Sequence, residues 1–220
     1  WWNMSFQNNS LYQHITRDQA LGSALHRNLY DSHEFPEQAR YYHCTLNFGK
    51  SQFQRWQQKI NTKGLRGEIA VAVTDPHEQI LLHTKSFYPK GAFRIPTGGI
   101  HPNEPADKAL PRELYEETGF KMLRYSAPAV VLYEFRHDQA CLSFLTFLYH
   151  VIPDQTGPVI HDTSEEITEF IWKPLSFLDS VVGTLNSLPT AGWRDWGRMR
   201  SVCHLILLEL ASGGLLQFSD

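Results

Sequence analysis

The chain has 220 residues, 42% hydrophobic and 20% charged, with a formal net charge of −3. That is enough apolar material for one sizeable core with extensions, and the near balance of charge gives no general pull toward nucleic acid or anionic membrane. No run approaches the ~18 apolar residues of a membrane span, and no basic-then-apolar leader opens the chain. The three cysteines, Cys44, Cys141 and Cys203, are odd in number, far apart and without CxxC spacing, which implies reduced thiols and a cytoplasmic location. Trp1 in place of Met leaves open a native start upstream.

Residues 1–16 predict no element. Thr16 and Gln19 make a capping-box pattern for a helix through about Arg27, with Ala20, Leu21, Ala24 and Leu25 on one side. Phe53, Trp56 and Ile60 recur at helical spacing over Ser51–Ile60, and Asn61-Thr62-Lys63-Gly64 closes that helix. From Gly67 the period changes to that of strands. Glu68–Thr74 reads as one strand, Asp75-Pro76 as a turn and Gln79–His83 as its hairpin partner. Phe93-Arg94-Ile95-Pro96 reads as a short strand entering a Gly98-Gly99 turn. Ala129–Phe135, Leu142–Ile152 and Glu169–Trp172 are rich in β-branched or aromatic residues and read as strands. Helical character returns from Leu175, in two pieces broken by Pro189 and Gly192, the last being Asp195–Ala211.

This order predicts an α/β fold with a mixed β-sheet and helices on both faces. It divides into a mostly helical N-terminal extension (1–64), a central domain (65–180) and a C-terminal helical segment packed on the core (181–220). The short helix after Gly98-Gly99 carries Glu113, Glu116 and Glu117 at i, i+3 and i+4, side by side on one face. Like charges so placed repel unless something positive sits among them, so the cluster reads as a cage for a hard divalent cation. A merely solvated acidic face would explain neither Gly98 nor Arg112.

Gly98, five residues, Glu104, seven residues, then Arg112-Glu113-Leu114-Tyr115-Glu116-Glu117-Thr118-Gly119-Phe120 resembles the complete box of the Nudix hydrolases. The resemblance implies an α/β/α sandwich and hydrolysis of a phosphoanhydride. It implies metal ligation by Glu113, Glu116 and Glu117 with a Gly99 carbonyl. Mg²⁺ suits such oxygen donors, with Mn²⁺ as the alternative. It also implies that Glu104 assists the metal site and that Arg112 orients a catalytic carboxylate, a task its planar fork suits. An additional base from a distant loop falls on Glu165 or Glu166 in Asp162-Thr163-Ser164-Glu165-Glu166. Gly98 and Gly99 allow a tight turn and close approach of backbone to substrate. Arg94, with Lys85 and Lys90, is a candidate for substrate phosphate. Gly119 is expected to stop the helix in a left-handed conformation. His101 is read as facing water, and Trp193 and Trp196 as core residues that could also stack on a base. Pro111 inside the helix predicts a distorted turn over Asp107–Pro111.

The implied substrate is a small nucleotide, a nucleoside diphosphate linked to another group, ADP-ribose-like or sugar-nucleotide by preference. A nucleotide-sensing domain without catalysis and a hydrolase of RNA 5′ ends are the alternatives. The acidic pI and the lack of a basic stripe disfavour nucleic acid. A homodimer fits the aromatic-rich terminal segments.

Overall fold

A computed structural model describes residues 11–23, 35–65, 67–155, 157–159 and 165–216. A six-stranded mixed sheet runs in the order β1 (Gln13–Ile15), β2 (Arg40–Asn47), β6 (Met122–His137), β7 (Ala140–Pro153), β3 (Gly67–Val73), β5 (Thr97–Gly99). The β2–β6 and β3–β7 pairs are parallel, and the other pairs are antiparallel. On one face lie α2 (Lys50–Lys63), α4 (Leu178–Asn186) and α5 (Ala191–Ser212), burying Phe53, Trp56, Leu185 and Ile206 against Tyr42, Val131 and Leu148. On the other lie α1 (Arg17–Gly22) and α3 (Ala106–Thr118), burying Ala20, Leu110 and Leu114 against Ile69, Val130 and Phe147. The alternation of strand side chains feeds both layers, so the fold is the expected α/β/α sandwich.

Several local expectations hold for local reasons. Thr16 and Gln19 form the reciprocal capping box at the start of α1; Ala24–Arg27 lie outside the described residues. Gly64 ends α2 at φ 62°, and Gly119 ends α3 at φ 71° with its N–H on the Tyr115 carbonyl (2.8 Å). In β6 the pairing register shifts between Ser126 and Ala129, which accommodates Pro128, a residue with no N–H to give to the ladder.

Other expectations are corrected. No strand is expected before Gly67, yet β1 and β2 belong to the main sheet. β2 buries Tyr41 in one layer and Tyr42, Cys44 and Leu46 in the other. Burial on both faces hides the simple alternation that would have marked it. β4 (Gln79–Lys85) is not the hairpin partner of β3. It makes one isolated bridge, Ile80 to Thr74 just past the end of β3, and pairs instead with β8 (Ile167–Pro174) in a separate two-stranded sheet. The reason is occupancy, since both edges of β3 are already bonded, to β7 and to β5. The strand near the glycines is Thr97–Gly99 itself; the stretch before it makes only the Arg94–His83 bridge. Gly192 does not break the last helix, which begins at Ala191.

Pro111 does not interrupt its helix either. α3 runs unbroken from Ala106 to Thr118. The carbonyl freed by the missing N–H belongs to Asp107, and Asp107 and Pro111 both lie on the exposed face, where water can serve that group. Among the described residues no helix is long and apolar enough to cross a membrane.

Candidate active site

β5 pins the glycine pair to the sheet edge, with Gly98 opposite Ile69 and Gly99 opposite Glu68. Neither glycine adopts a left-handed φ, so they form an edge strand and not the expected turn. What position 98 requires is the absence of a side chain. A Cβ there would lie 2.0 Å from Glu113 Cδ, because α3 lays that carboxylate across the strand.

Arg112 gathers the site. Its Nε and Nη2 grip Glu104 as a fork (2.8 and 2.6 Å), its Nη1 donates to Glu113 (2.7 Å) and Glu116 (3.3 Å), and its Nη2 also donates to the Gly99 carbonyl (3.0 Å). Such planar, charge-assisted bonds fix direction as well as energy. They hold the Glu104 carboxyl below its ordinary value in spite of partial burial. Glu113 shifts the other way, because burial outweighs the help of Arg112.

Glu117 stands apart from the other box carboxylates. It is 2% exposed and points to Lys85, whose Nζ lies 3.0 Å away. Burial pushes its carboxyl up to about 7, against the pull of Arg94 and Lys85. The Lys85 ammonium also contacts Glu165. Burial opposes that charge, but Glu117 and Glu165 more than offset it and hold Lys85 above its ordinary value. Lys85 therefore ties the box helix to the loop before β8. The two loop glutamates separate as well. Glu165 faces the cleft, whereas Glu166, at φ 54°, accepts from Ser86 Oγ (3.0 Å) and is turned away. Asp162–Ser164 lie outside the described residues.

Arg94 is not at the surface. It is 3% exposed and donates to Tyr88 Oη, the Ile95 carbonyl and Thr97 Oγ1 at 2.8–2.9 Å. It braces the approach to Gly98. Lys90 is exposed and does not line the cleft, while His101 does, with 66% of its side chain in solvent.

The cleft measures ≈ 460 Å³, within the range of small-ligand pockets. Glu113, Glu116, Glu165 and the glycine strand form one side. Lys59 and Lys63 of α2 complete it, and the sequence reading missed both. The available signal was their i, i+4 spacing along the edge of the Phe53–Trp56–Ile60 face.

The donors suit a hard divalent cation, being carboxylate and carbonyl oxygens with no thiolate or imidazole among them. Among the described residues, no three acidic or imidazole groups already converge as a cage. Arg112 and Lys85 occupy their inner faces instead. A cation would therefore enter by displacing those contacts.

A mixed sheet between helices, with a glycine edge strand under an Arg-Glu helix, defines a Nudix-type α/β fold. The family model described as NUDIX domain matches residues 64–186, more than half of the chain, and the chain belongs to that family. Among curated relatives it is 32% identical to an RNA pyrophosphohydrolase of Histophilus somni over 91 residues, 36% of this chain and 45% of that protein. It is 28% identical to an RNA pyrophosphohydrolase of Pasteurella multocida over 135 residues, 54% of this chain and 65% of that protein. The chain thus spans about half the length of these relatives. Among solved structures, the NUDIX domain of Shewanella oneidensis NrtR, complexed with ADP ribose, shares 18% identity over 76% of this chain and 99% of that one, with a TM-score of 0.47.

Proposed function

We infer that this chain is a Mg²⁺-dependent pyrophosphohydrolase that cleaves a phosphoanhydride of a nucleotide. The observation that carries the reading is the Arg112 hub, which gathers Glu104, Glu113, Glu116 and the Gly99 carbonyl beside a cleft faced by Glu165. Glu113, Glu116 and Glu117 would hold the metal, with Gly99 O as a further donor and Mn²⁺ as a substitute. When bound, the metal would neutralise phosphate oxygens and acidify water. Glu165, not Glu166, is the residue to receive a proton from attacking water, because only Glu165 faces the cleft. Arg112 positions Glu104 and Glu113 and so orients the site.

The substrate class is a nucleoside diphosphate joined to a second group. A cleft volume of ≈ 460 Å³, within the small-ligand range, supports ADP-ribose and sugar nucleotides. The 5′ end of RNA is the second reading, favoured by the names of the curated relatives. A pure sensor is disfavoured by a box with every carboxylate in place. Three free cysteines, two of them buried, support a reducing, cytoplasmic setting. Exposed Leu123 and Tyr125 support a homodimer, which sedimentation would read directly.

The test is a panel of ADP-ribose, sugar nucleotides and 5′-triphosphorylated RNA with Mg²⁺ or Mn²⁺, phosphate or nucleotide release being read, and Glu117→Gln as control. Glu165→Gln is expected to lose about 10²-fold or more in kcat at saturating metal, and Glu166→Gln to stay near wild type. No cleavage of any anhydride, with nucleotide binding retained, would replace the reading by that of a sensor.

A further inference from the structure

α2 ends at Lys63 and α5 begins at Ala191, so both helices lie outside the residues matched by the family model. α2 nevertheless lines the cleft, and α5 walls a neighbouring depression that shares α2 with it. Gln52, Arg55, Lys59 and Lys63 fall on one edge of α2, at spacings of three and four residues. Lys59 and Lys63 line the catalytic cleft. Two turns back, Gln52 and Arg55 line a second depression of ≈ 210 Å³ whose other walls include Trp193 and Trp196. A single helix edge joins the two, and Arg55 to Lys63 spans ~12 Å at 1.5 Å per residue.

Charge and shape agree along this edge. Arg55, Lys59 and Lys63 are exposed, and among the described residues none of them forms an ion pair. Lys59 rests over the Trp56 ring at 5.3 Å. Asp195, on the facing helix, is already engaged by the Gly49 N–H (2.8 Å). Trp193 and Trp196 stand edge to face with centroids 5.2 Å apart, and Tyr88 lies 4.8 Å from Trp196. Both indoles are half-buried against the core, which holds them as a shelf beside α2. Spaced cations beside a rigid aromatic surface are what a single-stranded nucleic acid requires, phosphate by phosphate and base by base. A small nucleotide would use the cleft alone and leave the shelf and Arg55 unexplained.

We propose that this edge is a subsite for a single-stranded polynucleotide entering by its 5′ end. Lys63, Lys59 and then Arg55 meet successive phosphates beyond the first nucleotide, and a following base stacks on Trp193 and Trp196. The proposal rests on the hydrolase reading only for direction, since it places the 5′ phosphates in the cleft. It also corrects the expectation from net charge, because the stripe is assembled locally on an otherwise acidic chain.

The test uses 5′-monophosphorylated oligonucleotides, which carry no anhydride, so binding is read apart from turnover. Fluorescence anisotropy with 3′-labelled strands should give an octamer at least about 10-fold tighter affinity than a dinucleotide, the tighter of RNA and DNA octamers identifying the chain. Arg55→Glu should lower that ratio at least about 3-fold and reduce the salt slope by at least about 0.7, as loss of one phosphate contact requires. Trp193→Ala should weaken single-stranded octamer binding about 5- to 150-fold without an equal loss on duplex. An octamer no tighter than a dinucleotide, a ratio unchanged by Arg55→Glu, or equal losses on duplex and heparin would each overturn the subsite. Length-dependent binding by a protein that cleaves no anhydride would keep the subsite and remove the hydrolase reading.

Discussion

Replacing Gly98 by alanine tests the site through a single added carbon. Its Cβ would stand 2.0, 2.1 and 2.2 Å from Cδ, Oε2 and Cγ of Glu113. Non-bonded carbons settle at about 3.5–4.0 Å, so the glutamate must retreat by roughly 1.5 Å or leave its rotamer. It cannot do so and keep the position that gives it the 2.7 Å bond from Arg112 Nη1 in this structure and from which it would hold the metal. Misplacement by about 1 Å costs on the order of 10² in rate, or about 2.7 kcal/mol of barrier. The backbone itself should accept alanine, since Gly98 is not left-handed and its strand pairing with Ile69 uses main-chain groups. Gly98→Ala should therefore lose about 10²-fold or more in kcat at saturating Mg²⁺, while overpacking lowers stability by about 1–3 kcal/mol. Steady-state kinetics on the best substrate of the panel, with thermal melts alongside, would measure both. In a Glu113→Ala background the same alanine should cost little more. A variant with kcat within threefold of wild type would refute the argument that Glu113 must lie across this strand.

Three further expectations concern the buried charges. Arg200 on α5 pairs with Glu68 on β3, with side chains 11% and 8% exposed, and Glu68 also accepts from Thr146 Oγ1 (3.2 Å). Arg200→Ala should cost about 3–5 kcal/mol in urea unfolding, because it strands a buried carboxylate; a loss below about 1 kcal/mol would contradict that. His204 accepts from the Ile95 N–H (3.1 Å) and donates from Nδ1 to the Arg200 carbonyl (2.8 Å), an arrangement that needs a neutral ring. Burial drops its value to about 4, below the ordinary 6.5, so its contribution is complete above pH 6.5. That contribution fades as the pH falls toward 4, in total about 3 kcal/mol. Urea midpoints between pH 7 and 4.5 should fall more steeply for the wild type than for His204→Gln, and parallel curves would discard the idea. Lys85→Met leaves Glu117 and Glu165 facing each other without their shared cation. The metal-free variant should melt several degrees lower, and Mg²⁺ should raise its Tm more than that of the wild type; equal metal effects would argue against a cation taking the place of Lys85.

The box was legible because its geometry is local. Residues at i, i+3 and i+4 on a helix share a face whatever surrounds them, and Gly119 ends that helix through its own backbone freedom. β3, β4, β6, β7 and β8 were legible from their apolar, β-branched and aromatic runs, unlike β5, and α2 was legible from its Phe53–Trp56–Ile60 repeat. Partnership was not legible. Gln79–Lys85 looked like the second arm of a hairpin because nothing in its own residues records that both edges of β3 are taken. Arg94 and Lys85 read as candidates for substrate phosphate, and nothing in their local sequence records that the folded chain buries one beside Tyr88 and sets the other between Glu117 and Glu165. Pro111 looked like a helix breaker until its freed carbonyl fell on the solvent side.

By itself the sequence determined the carboxylate helix and the layered α/β class, since these depend on residue type and short-range spacing. Only the tertiary structure decided which loop glutamate faces the cleft, why position 98 excludes a side chain and that Lys59 and Lys63 of α2 line the cleft. Those features depend on groups far apart in the chain, and no local period encodes which of them meet.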